Sequence, residues 1–157
     1  MSSEEIAAVE KIVGHTFSEP LLLVTALTHE SFVNERKDGK RCKSNERLEF
    51  LGDSVLGMIV TEYLFRAYDS AEGVLTDMRQ HIVSKEPLAA AVRDMGLLHY
   101  YRLGRGARSD KNKFKDKTVS NLFEAVLGAI YLDGGWESAR QFVHAHLLSR
   151  APSPAGK

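Results

Sequence analysis

Glu46, Glu49 and Asp53 fall at i, i+3 and i+7 in the segment NERLEFLGDSVLG, residues 45–57. At about 100° per residue, that spacing puts three carboxylates on one stripe of one helix. Leu48, Leu51, Val55 and Ile59 fall on other faces, where they can pack inward. Three like charges in a line repel one another, at roughly a few tenths of a kcal/mol per pair on an exposed helix. No Lys or Arg within the stripe offsets them, whereas a divalent cation would. Oxygen-only ligands at short spacing suit Mg²⁺ or Mn²⁺ better than zinc.

A second set lies in TVSNLFEAVLGAIYLDGG, residues 118–135, where Asn121 and Glu124 are i, i+3. Val119, Leu122, Phe123, Val126, Leu127 and Ile130 make this segment apolar nearly all round, so it is predicted to be a buried helix. An unpaired carboxylate in such a run is costly. Glu124 should therefore be paired, protonated or bound to a metal. Gly128 lies one turn further along the same stripe, where a small residue lets a neighbouring backbone approach. Each feature also has a plainer counterpart. A Glu/Glu/Asp stripe is the ordinary pattern of a solvated helix face, Glu124 could meet an Arg or Lys, and Asn121 could cap or pack. Spacing alone leaves both readings open.

The elements that would position these residues are helical almost throughout. Ile6, Val9, Ile12 and Val13 predict a short first helix ended by Gly14, and Pro20 is placed to open a second, with Leu22, Leu23 and Ala26 inward. A weaker third starts near Ser31. The charged segment 35–43, with Asp38-Gly39, reads as a loop. Ser44 or Asn45 then caps a long helix to about Ala67. One more helix is expected over roughly Val74 to Met95. Two final ones cover about Asp116 to Leu132 and Trp136 to Ser149, split by Asp133-Gly134-Gly135. No period-two alternation stands out, so the expected class is all-α.

The chain has 157 residues, 43% hydrophobic and 27% charged, with a formal net charge of zero. That suits one globular domain over residues 1–150 and excludes a disordered chain. Residues 151–157, APSPAGK, read as a linker or disordered tail. The balanced charge neither supports nor excludes a polyanionic partner. Cys42 is the only cysteine, so no intrachain disulfide or Cys/His zinc cluster is available. The acidic N-terminus, MSSEEIAAVEKIVGH, is unlike a signal peptide, and no apolar run is long enough to span a membrane. A cytoplasmic protein with no membrane association is expected.

NERLEFLGDSVLG resembles the signature stretch of the ribonuclease III family. GHTF followed by ALTHESF, EGVLTDMRQHIVS and FEAVLGAIYLDGGW resemble further family segments in the same order, over about residues 6–149. The resemblance implies an all-α ribonuclease III endonuclease domain that cleaves double-stranded RNA by metal-assisted hydrolysis and leaves 5′-phosphate and 3′-hydroxyl ends, in rRNA and mRNA processing. It implies Asp53 and Glu124 as the catalytic pair. Glu49, Asp53, Asn121 and Glu124 become metal-site residues for Mg²⁺, with Mn²⁺ a possible substitute. Glu46 and Glu72 become additional acids of the same valley. The family works as a homodimer, and Phe50 resembles an aromatic residue that plugs a socket on the partner, although from the sequence alone plain core packing is the favoured reading of Phe50. The family usually carries Asp where this chain has Asn121, so one charge is missing. Bacterial members usually continue into a double-stranded-RNA-binding domain, and the sequence ends where that linker would begin, as in a shortened form.

Residues 102–117, RLGRGARSDKNKFKDK, hold seven Lys/Arg and two Asp. Arg36, Lys37, Lys40, Arg41 and Lys43 form a second basic cluster. Such runs are commonly solvated loops; in an RNA enzyme they contact phosphates and position the duplex. The alternative function is a catalytically attenuated RNA-binding or ribosome-associated scaffold relative. Such a scaffold should lose several acids, and here only position 121 differs. A di-iron bundle would want Glu-x-x-His pairs, and these helices have none.

Overall fold

The computed structural model describes residues 1–36, 42–109 and 115–150. Lys37, Lys40 and Arg41 of one basic cluster, residues 110–114 of the other, and the tail 151–157 lie outside the described residues. Eight helices, α1 (Ser3–Val13), α2 (Pro20–Ala26), α3 (Glu30–Asn34), α4 (Glu46–Ala67), α5 (Glu72–Ile82), α6 (Lys85–Met95), α7 (Arg105–Ser109) and α8 (Asp116–His146), carry the described fold. The expected all-α class holds: among the described residues the extended pairing amounts to one isolated bridge, Thr28 to Arg102.

The first half of α8 is the axis of the core. Val119, Leu122, Phe123, Val126, Leu127 and Ile130 are fully buried. They are covered chiefly by α4, then by α6 and α2. On α4 the buried side, Leu48, Gly52, Val55, Leu56, Ile59, Val60 and Leu64, follows the i, i+4, i+7, i+8 rhythm of one helix face. Each fully buried Leu, Ile or Phe side chain contributes about 1.5–3 kcal/mol relative to exposure.

Helix ends follow local chemistry. Ser2 and Glu5 form a capping box on α1, and Gly14 ends it with φ 70°. α8 runs on past Asp133 but turns at Gly135, whose φ of 73° and ψ of −167° divide it where the Asp-Gly-Gly sequence suggested.

Two expectations differ. The helix expected over Val74–Met95 is two, α5 and α6, broken at Val83-Ser84. Pro87 stands in the first turn of α6. It lacks an N–H and would clash with the carbonyl of Val83 in a continuous helix. Asn45 occupies the N-cap of α4, yet its side chain makes no cap bond there. Its amide instead donates to the Tyr101 hydroxyl, 3.3 Å away, in a buried setting.

Three distant segments meet at Thr28. The Arg102 N–H donates to Leu27 O at 2.8 Å, the His29 N–H to Arg102 O at 3.0 Å, and the Asn45 N–H to Thr28 O at 2.8 Å. Arg102 also donates to the Thr28 hydroxyl at 3.0 Å, which itself donates to Val24 O at 2.6 Å. Thr28 is thus fully buried with its polar groups satisfied. This knot fixes the start of α4 beside the segment leading to α7.

Candidate functional site

The site lies where α4 crosses α8. A Cβ added at Gly52 would overlap the backbone carbonyl of Glu124, and one at Gly128 would overlap the carbonyl of Leu48. The two backbones therefore approach as only glycine permits, and Gly128 has the role its place on the stripe suggested. This contact carries the acids of α4 alongside Asn121 and Glu124 of α8.

Glu124 is half-buried in the first turns of the core helix. Burial, then the charges of Asp53 and Glu49, push its carboxyl up to about 7. No ion pair or hydrogen bond to it is present among the described residues. Glu49 is also half-buried and also shifted up, first by burial and further by Glu46 and Asp53. A hydrogen bond from the Asn121 side chain and the charge of Lys117 act against that rise. Asp53 and Glu46 are exposed at the rim. Glu49, Asp53 and Glu124 are therefore one electrostatic group with Asn121 inside it.

Glu46, Glu49 and Asn121 line a cleft of about 430 Å³ together with His29, Glu30, Asn45, Tyr101, Lys117 and Thr118. Glu72 lies elsewhere on the subunit, at the start of α5. It accepts a hydrogen bond from Thr76 at 2.9 Å and lines a second cleft with Thr61, Phe65 and Arg79. Phe50 is 79% exposed, so it does not pack into the core of its own subunit. Phe65 at 77% and Met58 at 60% are exposed on the same side of α4.

A divalent cation fits this donor set. Glu124 is a half-buried carboxylate whose proton affinity is raised by burial and then by two neighbouring carboxylates, the condition a cation relieves. Among the described residues, no three acidic, histidine or cysteine side chains are already gathered into a ready-made metal cluster.

The Ribonuclease-III-like family profile matches residues 19–151. The chain belongs to the ribonuclease III family. It is 46% identical to ribonuclease 3 of Chlamydia muridarum over 140 residues, covering 88% of this chain and 59% of that protein. It is 40% identical to ribonuclease 3 of Protochlamydia amoebophila over 145 residues, again covering 59% of the relative. The chain thus spans about three-fifths of the length of these ribonuclease III relatives. The nuclease domain of ribonuclease III from Campylobacter jejuni superposes with a TM-score of 0.84 at 33% identity, covering 94% of this chain and 99% of that one. Dicer from Giardia intestinalis shares the fold over 21% of its length, with a TM-score of 0.73 at 24% identity.

Within this ribonuclease III fold, the cleft adds residues that reading along the chain did not place beside the acids, Lys117 of the basic run 102–117 among them. Lys117 had a signal in the sequence: it is four residues before Asn121, on the same helix stripe. His29 sits in the ALTHESF segment but at no informative spacing from the acids. Tyr101 comes to the cleft only through the knot at Thr28. Among the described residues, no helix is long and apolar enough to cross a membrane.

Proposed function

We propose that this protein is an endoribonuclease that cleaves double-stranded RNA by divalent-metal-assisted phosphodiester hydrolysis, leaving 5′-phosphate and 3′-hydroxyl ends, as in rRNA and mRNA processing. The observation that carries this reading is the Glu124 carboxyl, raised to about 7 among Asp53 and Glu49 at the glycine-lined helix crossing. Asp53 and Glu124 are the catalytic pair, and with Glu49 and Asn121 they would hold Mg²⁺ or, as a substitute, Mn²⁺. When bound, the ion supplies Lewis-acid polarisation of the phosphodiester and of the attacking water.

The chain's own residues do the rest. Glu124 would present its carboxylate to the ion from the helix crossing, and Asp53 from the solvent rim. The Asn121 amide favours the ionised form of Glu49. Glu46 extends the negative surface at its margin, whereas Glu72 lines a separate cleft within the same chain. The protein acts as a homodimer in the cytoplasm, with Phe50 seated on the partner subunit. A face bearing exposed Phe50, Met58 and Phe65 supports that assembly.

The test is cleavage of a long RNA duplex in Mg²⁺ by the wild-type protein and by Glu124→Gln. Wild type should cut, and the variant should fold, bind RNA and not cut. Asn121 favours one second reading, an attenuated RNA-binding relative, because an amide stands where a charge would strengthen the ion's hold. Duplex binding without cleavage by wild type, with cleavage gained in Asn121→Asp, would establish it.

A further inference from the structure

The cleft beside the acids is chemically mixed. Asp53 and Glu124 lie toward the helix crossing. Lys117, Thr118, Asn45 and His29 line the cleft together with the carboxylates Glu30, Glu46 and Glu49. Lys117 is exposed, and its charge reaches Glu49. Its ammonium makes no ion pair among the described residues. A cationic side chain here would repel a metal ion, and Asn121 has already removed one negative charge from the same stripe. Within this largely acidic lining, Lys117 and His29 are the two side chains able to take a phosphodiester, by charge and by N–H donation.

His29 is oriented for the same task. Its Nδ1 accepts from the Ser31 backbone N–H at 3.2 Å, capping α3. The Ser31 hydroxyl lies 2.9 Å from Nδ1 and itself accepts from the Gly104 N–H at 3.0 Å. An Nδ1 that accepts leaves the proton of the neutral ring on Nε2. The ring is further fixed edge-on to Tyr101, with centroids 5.8 Å apart. His29 thus brings a pre-set N–H donor, and Lys117 a full positive charge, to one cleft from two different elements.

We propose that Lys117 and His29 Nε2 form a phosphate subsite that holds a phosphodiester of the substrate strand next to the acidic group, an inference that rests on the nuclease reading above. Lys117 supplies charge and His29 direction. The subsite binds the backbone and carries no sequence preference. It also compensates for Asn121, because substrate held by protein donors depends less on the ion for attachment.

The test is binding of a duplex RNA by fluorescence anisotropy in EDTA across a salt series. Lys117→Met should weaken binding several-fold and lower the slope of log affinity against log salt by about 1, uniformly across sequences. Lys117→Arg should restore both. His29→Asn, which keeps a capping acceptor but loses the Nε2 donor, should weaken binding with the salt slope unchanged. The proposal is overturned if Lys117→Met leaves affinity and slope at wild-type values. It is equally overturned if that variant only lowers the Mg²⁺ concentration needed for cleavage, since Lys117 would then be a resident counter-ion for Glu49. In either case, wild-type cleavage abolished by Glu124→Gln leaves the nuclease reading standing. A wild type that neither binds nor cuts duplex RNA overturns both.

Discussion

The side-chain amide of Asn121 sits next to the Glu49 carboxylate and, as a donor, lowers its proton affinity. An aspartate at this position would face Glu49 with a like charge. The amide instead stabilises the ionised form of Glu49. The metal-free site is quieter for it, and the hold on a cation weaker.

Asn121→Asp should therefore move metal affinity and metal-free stability in opposite directions. Divalent-ion affinity should rise about tenfold, the usual scale for changes in groups supporting a metal ligand. Without ions, the variant should lose about 1–3 kcal/mol at pH 8, because a hydrogen bond to a charged group is replaced by repulsion. Isothermal titration with Mg²⁺ and thermal melts in EDTA would read the two effects.

Glu124 makes the metal-free protein sensitive to pH. Its carboxyl sits at about 7 in the fold, above the usual carboxylate value. The folded state therefore holds a proton that the unfolded chain has released. Stability is full below the unfolded value and falls as pH rises towards and through about 7. The loss approaches about 3 kcal/mol at pH 8 as an upper bound, because each tenfold rise in proton affinity on folding corresponds to about 1.36 kcal/mol. Solvent screening at the partly exposed carboxyl brings it below that bound. Glu124→Gln should flatten this dependence in EDTA melts. Saturating Mg²⁺ should restore wild type at pH 8 and leave the variant nearly unchanged.

Gly128 and Gly52 should not tolerate a methyl group. Each would bring a Cβ into backbone carbonyl atoms of the opposite helix, which cannot move aside like a flexible side chain. Gly128→Ala should cost about 1–3 kcal/mol or more as the helices are forced apart. Glu124 would lose its setting with the crossing, so cleavage should fall further than stability. Comparing melting temperature with turnover would separate the two losses.

Phe50→Ala should spare the fold and weaken the proposed homodimer. The ring is 79% exposed, so its loss should change subunit stability by less than about 0.5 kcal/mol. A buried aromatic anchor at an interface is commonly worth about 2 kcal/mol or more. Sedimentation velocity over a concentration series would show a monomer shift with an unchanged circular dichroism spectrum. A wild type that is monomeric throughout would remove the assigned role of Phe50.

Asp133 is a further stability determinant, at the end of the straight part of α8. It accepts from His15 Nε2 at 2.8 Å and from the backbone N–H groups of Ser18 and Glu19 at 3.0 and 2.8 Å. Burial alone would raise its carboxyl, but these donors outweigh it and hold the group below the usual value. Its contribution is therefore present at neutral pH and is lost as pH falls through the lowered value. Asp133→Asn should cost about 1–3 kcal/mol at pH 7 and less at pH 3, measured by urea unfolding.

The sequence by itself determined the helices that carry both halves of the acidic set. Periodicity is local: i, i+3 and i+7 must share a helix face wherever the helix goes, so Glu46, Glu49 and Asp53 were legible as one stripe. The apolar run around Glu124 marked its helix as buried for the same reason, and Asp133-Gly134-Gly135 marked the turn. The break between α5 and α6 was less legible, because the apolar rhythm persists across Ser84 while Pro87 removes the continuity. Only the tertiary structure decided that Asn45 bonds Tyr101 rather than its own helix end, that Phe50 faces outward, and that Lys117 and His29 share a cleft with Glu49. Those relationships depend on how closely α4 and α8 approach and on the backbone knot at Thr28. Hydrogen bonds and charges between segments distant in sequence leave no periodic trace along the chain.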